Sequence, residues 1–230
     1  MSRIRELAGG GHAVEVEPER LARFLERFVA DHGGALATTI EPWRVAVGAV
    51  DGWMASMPVP FGPLAVSAEQ RAGLAVDDLI SHALAVRTIG LLLVRLGGYS
   101  VGIARAGAVL SSATGSRLVH GRSAAGGQSQ QRFARRREGQ ARMALRAAAD
   151  AAARVLVPHA TELDAIVLGG DTAALRTVAG DPRLTGLLEH AEPRVLAVAQ
   201  PRRAVLDEAA RWVRCVEVQL VERGKVLGHR

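Results

Sequence analysis

The feature that most constrains the fold is the run from about Ser129 to Leu156, which reads as one helix ended by Pro158. At 1.5 Å per residue, its roughly 28 residues would extend about 42 Å, more than the diameter of a small domain. Such a helix must be buried along one side. Phe133, Gln140, Ala144, Ala147, Ala151 and Val155 form a stripe for packing on a sheet. Arg132, Arg135, Arg136, Arg142 and Arg146 recur at spacings of three, four and seven on the opposing face. Strand candidates precede the helix: Thr88–Leu96, a Gly97-Gly98 hairpin turn, Tyr99–Ala104 and Ala108–Val119. Leu163–Leu168 follows it, closed by Gly169-Gly170-Asp171, and then come two helices with strands at Arg194–Ala199 and Val213–Val221. The expected class is α+β (mixed α/β), a strand meander carrying a glycine loop and a long helix.

The preceding chain reads as a separate small α/β unit. Leu21, Phe24, Leu25 and Phe28 recur at helical spacing between Glu17 and Ala30, and His32-Gly33-Gly34 ends that helix. Ala35–Ile40 and Trp43–Val50 follow as strands. The stretch from Met57 to Pro63 holds Pro58, Pro60 and Pro63 and is expected to be a loop or linker before a short helix over Asp77–Val86. The expected division is therefore an N-terminal unit over 1–80, of unknown role, and a second domain over 87–221 with a loop at 120–128 and a helix at 129–156.

At 49% apolar and 3% aromatic residues, the chain is globular with a core built from Ala, Val and Leu. Its longest nearly uncharged apolar run, Ile89–Val94, is too short to cross a bilayer, and Met1–Arg5 lacks a signal-peptide core. Cys215 is the single cysteine, so no internal disulfide or thiolate cage forms, and a cytoplasmic location is expected. The seven histidines show no metal-ligand spacing, and neither a metal nor a cofactor is expected. Asp171 reads as a strand-end turn. A net charge of +6 points to an anionic partner, nucleic acid first, with no membrane and no DNA expected.

The specific signal lies between His120 and Arg146. A Gly-Gly before a helix is ordinarily a turn, and an arginine stripe is ordinarily a solvated face stitched by partners such as Glu138 and Asp150. The full run is more specific: Gly126-Gly127-Gln128-Ser129-Gln130-Gln131-Arg132-Phe133-Ala134-Arg135. It resembles the catalytic domain of the eukaryotic and archaeal class-1 peptide release factors, which carry Gly-Gly-Gln-Ser, two variable residues and Arg-Phe-Ala-Arg at the start of a long helix. His120-Gly121-Arg122 resembles the segment before their glycines, although here Ser123-Ala124-Ala125 intervene. The resemblance covers about residues 87 to 221. Within that superfamily the chain is similar to the stand-alone actinobacterial branch of the Vms-type release factors, a peptidyl-tRNA hydrolase family.

That resemblance implies codon-independent hydrolysis of the peptidyl-tRNA ester on the large ribosomal subunit, in rescue or quality control. Gly126, Gly127 and Gln128 would be catalytic, with the backbone N–H of Gln128 taking part. Arg122, Arg132, Arg135, Arg136, Arg142 and Arg146 would bind RNA. The residue types suit the chemistry. Two glycines let the backbone approach the CCA end closely. A glutamine supplies amide donors and an acceptor without charge, so it orients water or meets an oxyanion but is no general base. No counterpart of a stop-codon-reading or GTPase-binding domain is found in the chain. Two other outcomes stay open: cleavage of the tRNA near its CCA end, with His120 or Arg122 assisting, and a non-catalytic ribosome-binding factor.

Overall fold

The computed structural model describes residues 4–8, 10–116, 128–189 and 191–222, and the side chains of 128–137 lie outside that description. The chain runs β1 (Ile4–Glu6), β2 (His12–Val16), α1 (Pro18–Asp31), β3 (Ala35–Glu41), β4 (Arg44–Ala49), β5 (Trp53–Pro58), β6 (Glu69–Ala72) and α2 (Asp77–Leu84). It continues β7 (Thr88–Arg95), β8 (Gly98–Arg105), β9 (Ala108–Ser116), α3 (Gln128–Leu156), β10 (Ala165–Gly170), α4 (Thr172–Ala179), α5 (Thr185–Leu188), β11 (Ala191–Leu196), α6 (Arg203–Trp212) and β12 (Val216–Glu222). Its contacts divide it into two compact units, Met1–Ala85 with Arg214–Arg230, and Val86–Val213.

The first unit is a seven-stranded sheet in the order β1-β2-β12-β5-β4-β3-β6, with antiparallel pairing throughout. Its core joins Leu21, Leu25 and Phe28 of α1 and Leu79 of α2 to Val45, Val47, Ala55 and Met57 of the sheet. The expected boundaries at 80 and 221 are not the ones the contacts make. β12 pairs with β2 (Val216 opposite Val16) and with β5 (Glu222 opposite Trp53), so it belongs to the first unit rather than to the second. The cause is its alternation: Val216, Val218 and Leu220 turn to the first unit's core. Between β2 and β5 this strand also satisfies two rows of backbone groups. Part of the expected 57–63 loop is likewise strand, because Pro58 stands at the end of β5 opposite Arg44 and not in its middle.

The second unit is mixed α/β. Its sheet has the order β11-β10-β7-β8-β9, with β10 parallel to both β7 and β11, and the meander β7-β8-β9 antiparallel. Thr88 through Val94 are buried without alternation. This is what a strand covered on both faces requires. Leu92, Val94, Val101 and Ile103 pack with Leu145, Ala148, Ala149, Ala152 and Leu156 of α3 and with Leu175 and Val178 of α4. On the other face a Cβ at Gly102 would meet Leu206 Cδ2 of α6 at 2.9 Å. The buried stripe of α3 is wider than the expected one. Ala144 and Ala151 are buried, but Leu145, Ala148, Ala149 and Ala152 join them, while Ala147 and Val155 are only half-buried. The helix touches both the sheet and α4, so it presents a broader apolar arc than a single seam needs. No described helix is long and apolar enough to cross a membrane.

Gly139 lies inside α3, and a Cβ there would meet nothing within 4 Å. Glycine costs helix stability through backbone entropy alone at such a site. Gly139→Ala is therefore expected to stabilise the protein by about 0.5–1 kcal/mol, read as a higher midpoint in thermal unfolding. An unchanged or lowered midpoint would place an unrecognised constraint on that backbone.

Candidate functional site

Strand β9 is one edge of the second sheet, and the chain passes from its last residue, Ser116, into the segment 117–127 and then α3. Gly126, Gly127 and Arg122 fall in that segment, outside the described residues, as does His120. Gln128 is the first residue of α3, so its backbone stands where a helix leaves its N–H groups without intrahelical acceptors. Arg132, Arg135 and Arg136 follow within the next two and a half turns of the same helix, with side chains outside the description.

Farther along α3, Glu138, Arg142, Arg146, Asp150 and Arg154 recur every fourth residue and are all exposed. Asp150, which would partner these arginines if the stripe were an ordinary solvated face, is engaged elsewhere. Asp150 accepts from Arg183 Nη2 at 2.6 Å, and Arg183 in turn holds Asp181 at 2.7 Å. Arg142 and Arg146 have no ion pair among the described residues. Two expected RNA-binding arginines are thus brought together, one turn apart, on an open face of the helix.

Asp181 is held at about 2, first by the hydrogen bonds from the Arg183 side chain, then by the Arg183 backbone N–H, with Arg146 a lesser contributor. A carboxylate lowered from its ordinary value near 3.8 contributes stability that is present above about pH 4 and lost as pH falls from there towards 2. Asp181→Asn is expected to flatten the fall of stability between about pH 4 and 2. Urea midpoints measured across that window would check it, and parallel curves for the two proteins would contradict it.

At the end of the same sheet where β9 gives way to 117–127, a crevice of about 550 Å³ opens within the second unit. Its polar lining comes from Arg95 at the end of β7, Ser116 at the end of β9, Asp171 after β10, and Gln200 and Arg202 before α6. Arg95 Nη1 donates to the carbonyls of Val198 (3.2 Å) and Ala199 (3.1 Å), which fixes its guanidinium. Asp171 caps α4, its Oδ1 accepting from Ala174 N–H at 2.9 Å, so the expected strand-end turn also starts a helix. Sequence alone does not show the crevice, because its residues are scattered along the chain. Gly97-Gly98 between β7 and β8 and Gly169-Gly170 at the end of β10 are its local trace.

Comparison with known proteins gives a family match. The family described as Actinobacteria/chloroflexi VLRF1 release factor matches residues 87–219, more than half of the chain. Among solved structures, the chain is similar to the archaeal translation termination factor aRF1 at 14% identity, with a TM-score of 0.39 over 84% of this chain and 69% of that one. A second structure, described as an archaeal protein, shows 15% identity and a TM-score of 0.36 over 86% of this chain and 73% of that one. No curated protein matches.

Proposed function

Because the chain belongs to the Actinobacteria/chloroflexi VLRF1 release factor family, and so has a translation-related function at the ribosome, we propose that it hydrolyses the ester bond of peptidyl-tRNA without reading a codon. The observation that carries this reading is the run from Gly126 to Arg135 at the start of α3, inside the matched region. In the proposed reaction a water oxygen attacks the ester carbonyl carbon, and the bond from that carbon to the ribose oxygen breaks. The water's protons end on the released peptide carboxyl group, which then ionises, and on the ribose hydroxyl. Gln128 has no basic group for proton abstraction, so its side-chain amide and backbone N–H orient the water and meet the charge developing on the carbonyl oxygen. A ribose hydroxyl of the substrate relays the proton.

The remaining parts fit that task. Gly126 and Gly127 let the backbone approach the CCA end, and Arg122, Arg132, Arg135, Arg136, Arg142 and Arg146 hold RNA phosphates of the large subunit or the tRNA. Arg142 and Arg146 support this role by being exposed and free of ion pairs among the described residues. Ribosome rescue or quality control is the setting that suits a codon-blind hydrolase.

The test is to incubate the purified protein with stalled ribosome–nascent-chain complexes carrying labelled peptidyl-tRNA, beside Gln128→Ala. A gel resolving peptidyl-tRNA, free peptide and the tRNA 3′ end distinguishes the outcomes. Free peptide with an intact CCA end, lost in the variant, is the expected result. A shortened 3′ end would replace it with tRNA cleavage. Intact peptidyl-tRNA with both proteins would leave a non-catalytic ribosome-binding factor.

A further inference from the structure

None of the residues given a role in the hydrolysis above lines the crevice at the end of the second unit's sheet. It is bordered by the C-terminal ends of the parallel strands β7 and β10 and by the chain that follows β11. There strand ends splay from helix starts, and ligands of open α/β sheets settle. Its volume of about 550 Å³ lies within the range of roughly 300–1,000 Å³ typical of small-ligand sites. It therefore has room for one nucleotide.

The side-chain donors and acceptors that have no protein partner among the described residues say which ligand fits. Arg95 is fixed through Nη1, leaving Nη2 without a partner among the described residues. The side chain of Arg202 has no partner among the described residues either, since only its backbone is engaged, with Gln200 and Leu206. Asp171 spends Oδ1 on its helix cap and keeps Oδ2 open, a pure acceptor suited to a hydroxyl. Two guanidiniums against one carboxylate leave the lining net positive, which disfavours a cationic ligand and favours a phosphodiester. Gln200 adds an amide able to meet a base edge.

We infer that this crevice binds one ribonucleotide of an RNA strand, with Arg95 and Arg202 on its phosphate and Asp171 Oδ2 on its ribose 2′-hydroxyl. A strand is preferred to a free nucleotide because of where the crevice lies. Ser116 lines it, and from Ser116 the chain runs directly into the segment bearing Gly126 and Gly127. An RNA strand held there would meet the last residue of β9, from which the segment proposed as catalytic follows in sequence. The identity of that strand as the 3′ region of the tRNA rests on the proposed hydrolysis.

The experiment measures fluorescence anisotropy of a short labelled RNA ending in CCA, and of its all-2′-deoxy counterpart, with the full chain and no ribosome. Arg202→Gln is expected to weaken RNA binding about tenfold, the loss of one charge-assisted contact. Asp171→Ser keeps a helix-capping residue. It is expected to lower RNA binding towards the deoxy value while leaving deoxy binding unchanged. Circular dichroism must show both variants folded as the wild type. Wild-type RNA affinity in both folded variants would overturn the inference, and adenosine 5′-monophosphate competing as tightly as the RNA would overturn the strand assignment. These readings involve no hydrolysis. A protein that binds as stated yet releases no peptide keeps the crevice and loses the hydrolase; one that releases peptide while both variants bind normally does the reverse.

Discussion

Replacing Gln128 by alanine is expected to lower the single-turnover rate of peptide release about 10²–10³-fold, the usual cost of removing one preorganised donor from a developing oxyanion. The loss should fall on the chemical step. In the proposed function, binding rests on arginines that the substitution leaves intact, including Arg142 and Arg146 on the exposed face of α3, so co-sedimentation with ribosomes should be unchanged. Gln128→Glu separates donation by this side chain from acceptance. A carboxylate matches glutamine in shape but accepts only, and its charge opposes the oxyanion. If glutamine acts by donating, this variant should be at least as slow as the alanine one. If it instead restored release, the side chain would be working as a base and the proposed chemistry would be wrong. Release by Gln128→Ala within about threefold of wild type would remove the side chain from the mechanism; the backbone N–H survives either substitution.

The hairpin of β7 and β8, the helix α3 and the strand β10 were legible because each announces itself locally. β7 carries the apolar run Ile89–Val94 shortly before Gly97-Gly98, α3 is bounded by Pro158, and β10 ends in Gly169-Gly170. Strand β12 was legible as a strand but not as a member of the first unit, because its partners β2 and β5 lie some 160 residues or more earlier in the chain. A period of two says which face is buried and nothing about which sheet receives it. β1, β2 and β6 are short and β5 runs into prolines, so periodicity over three to six residues had little to register. Of the candidate site, the Gly126–Arg135 run was visible as a motif, since its residues are contiguous. The crevice residues Arg95, Asp171 and Arg202 were not, because only the sheet brings them together.

Gly170→Ala should be the most damaging small substitution in the second unit, costing about 2–6 kcal/mol from backbone strain and overpacking together. Gly170 has φ +110, where an L residue is strained whatever space surrounds it. Space is also lacking: a Cβ there would stand 2.1 Å from the carbonyl oxygen of Val94, a backbone atom that no side-chain rotation can move aside. That carbonyl is already engaged, accepting from Asp171 N–H at 3.0 Å, and Gly170 opposite Val94 is the last pair between β10 and β7. Relief of the clash must therefore loosen the strand end, the start of α4 that Asp171 caps, and the floor beside Arg95, whose Cγ would lie 3.3 Å from the same added Cβ. The expected result is a large drop in the urea midpoint, opposite in sign to Gly139→Ala, although both replace glycine by the same residue. A loss below about 0.5 kcal/mol would mean that the strand end relaxes freely. The crevice could not then be the preorganised site its fixed arginine and capped aspartate make it, because preorganisation of those two groups depends on the backbone at Gly170 staying where it is.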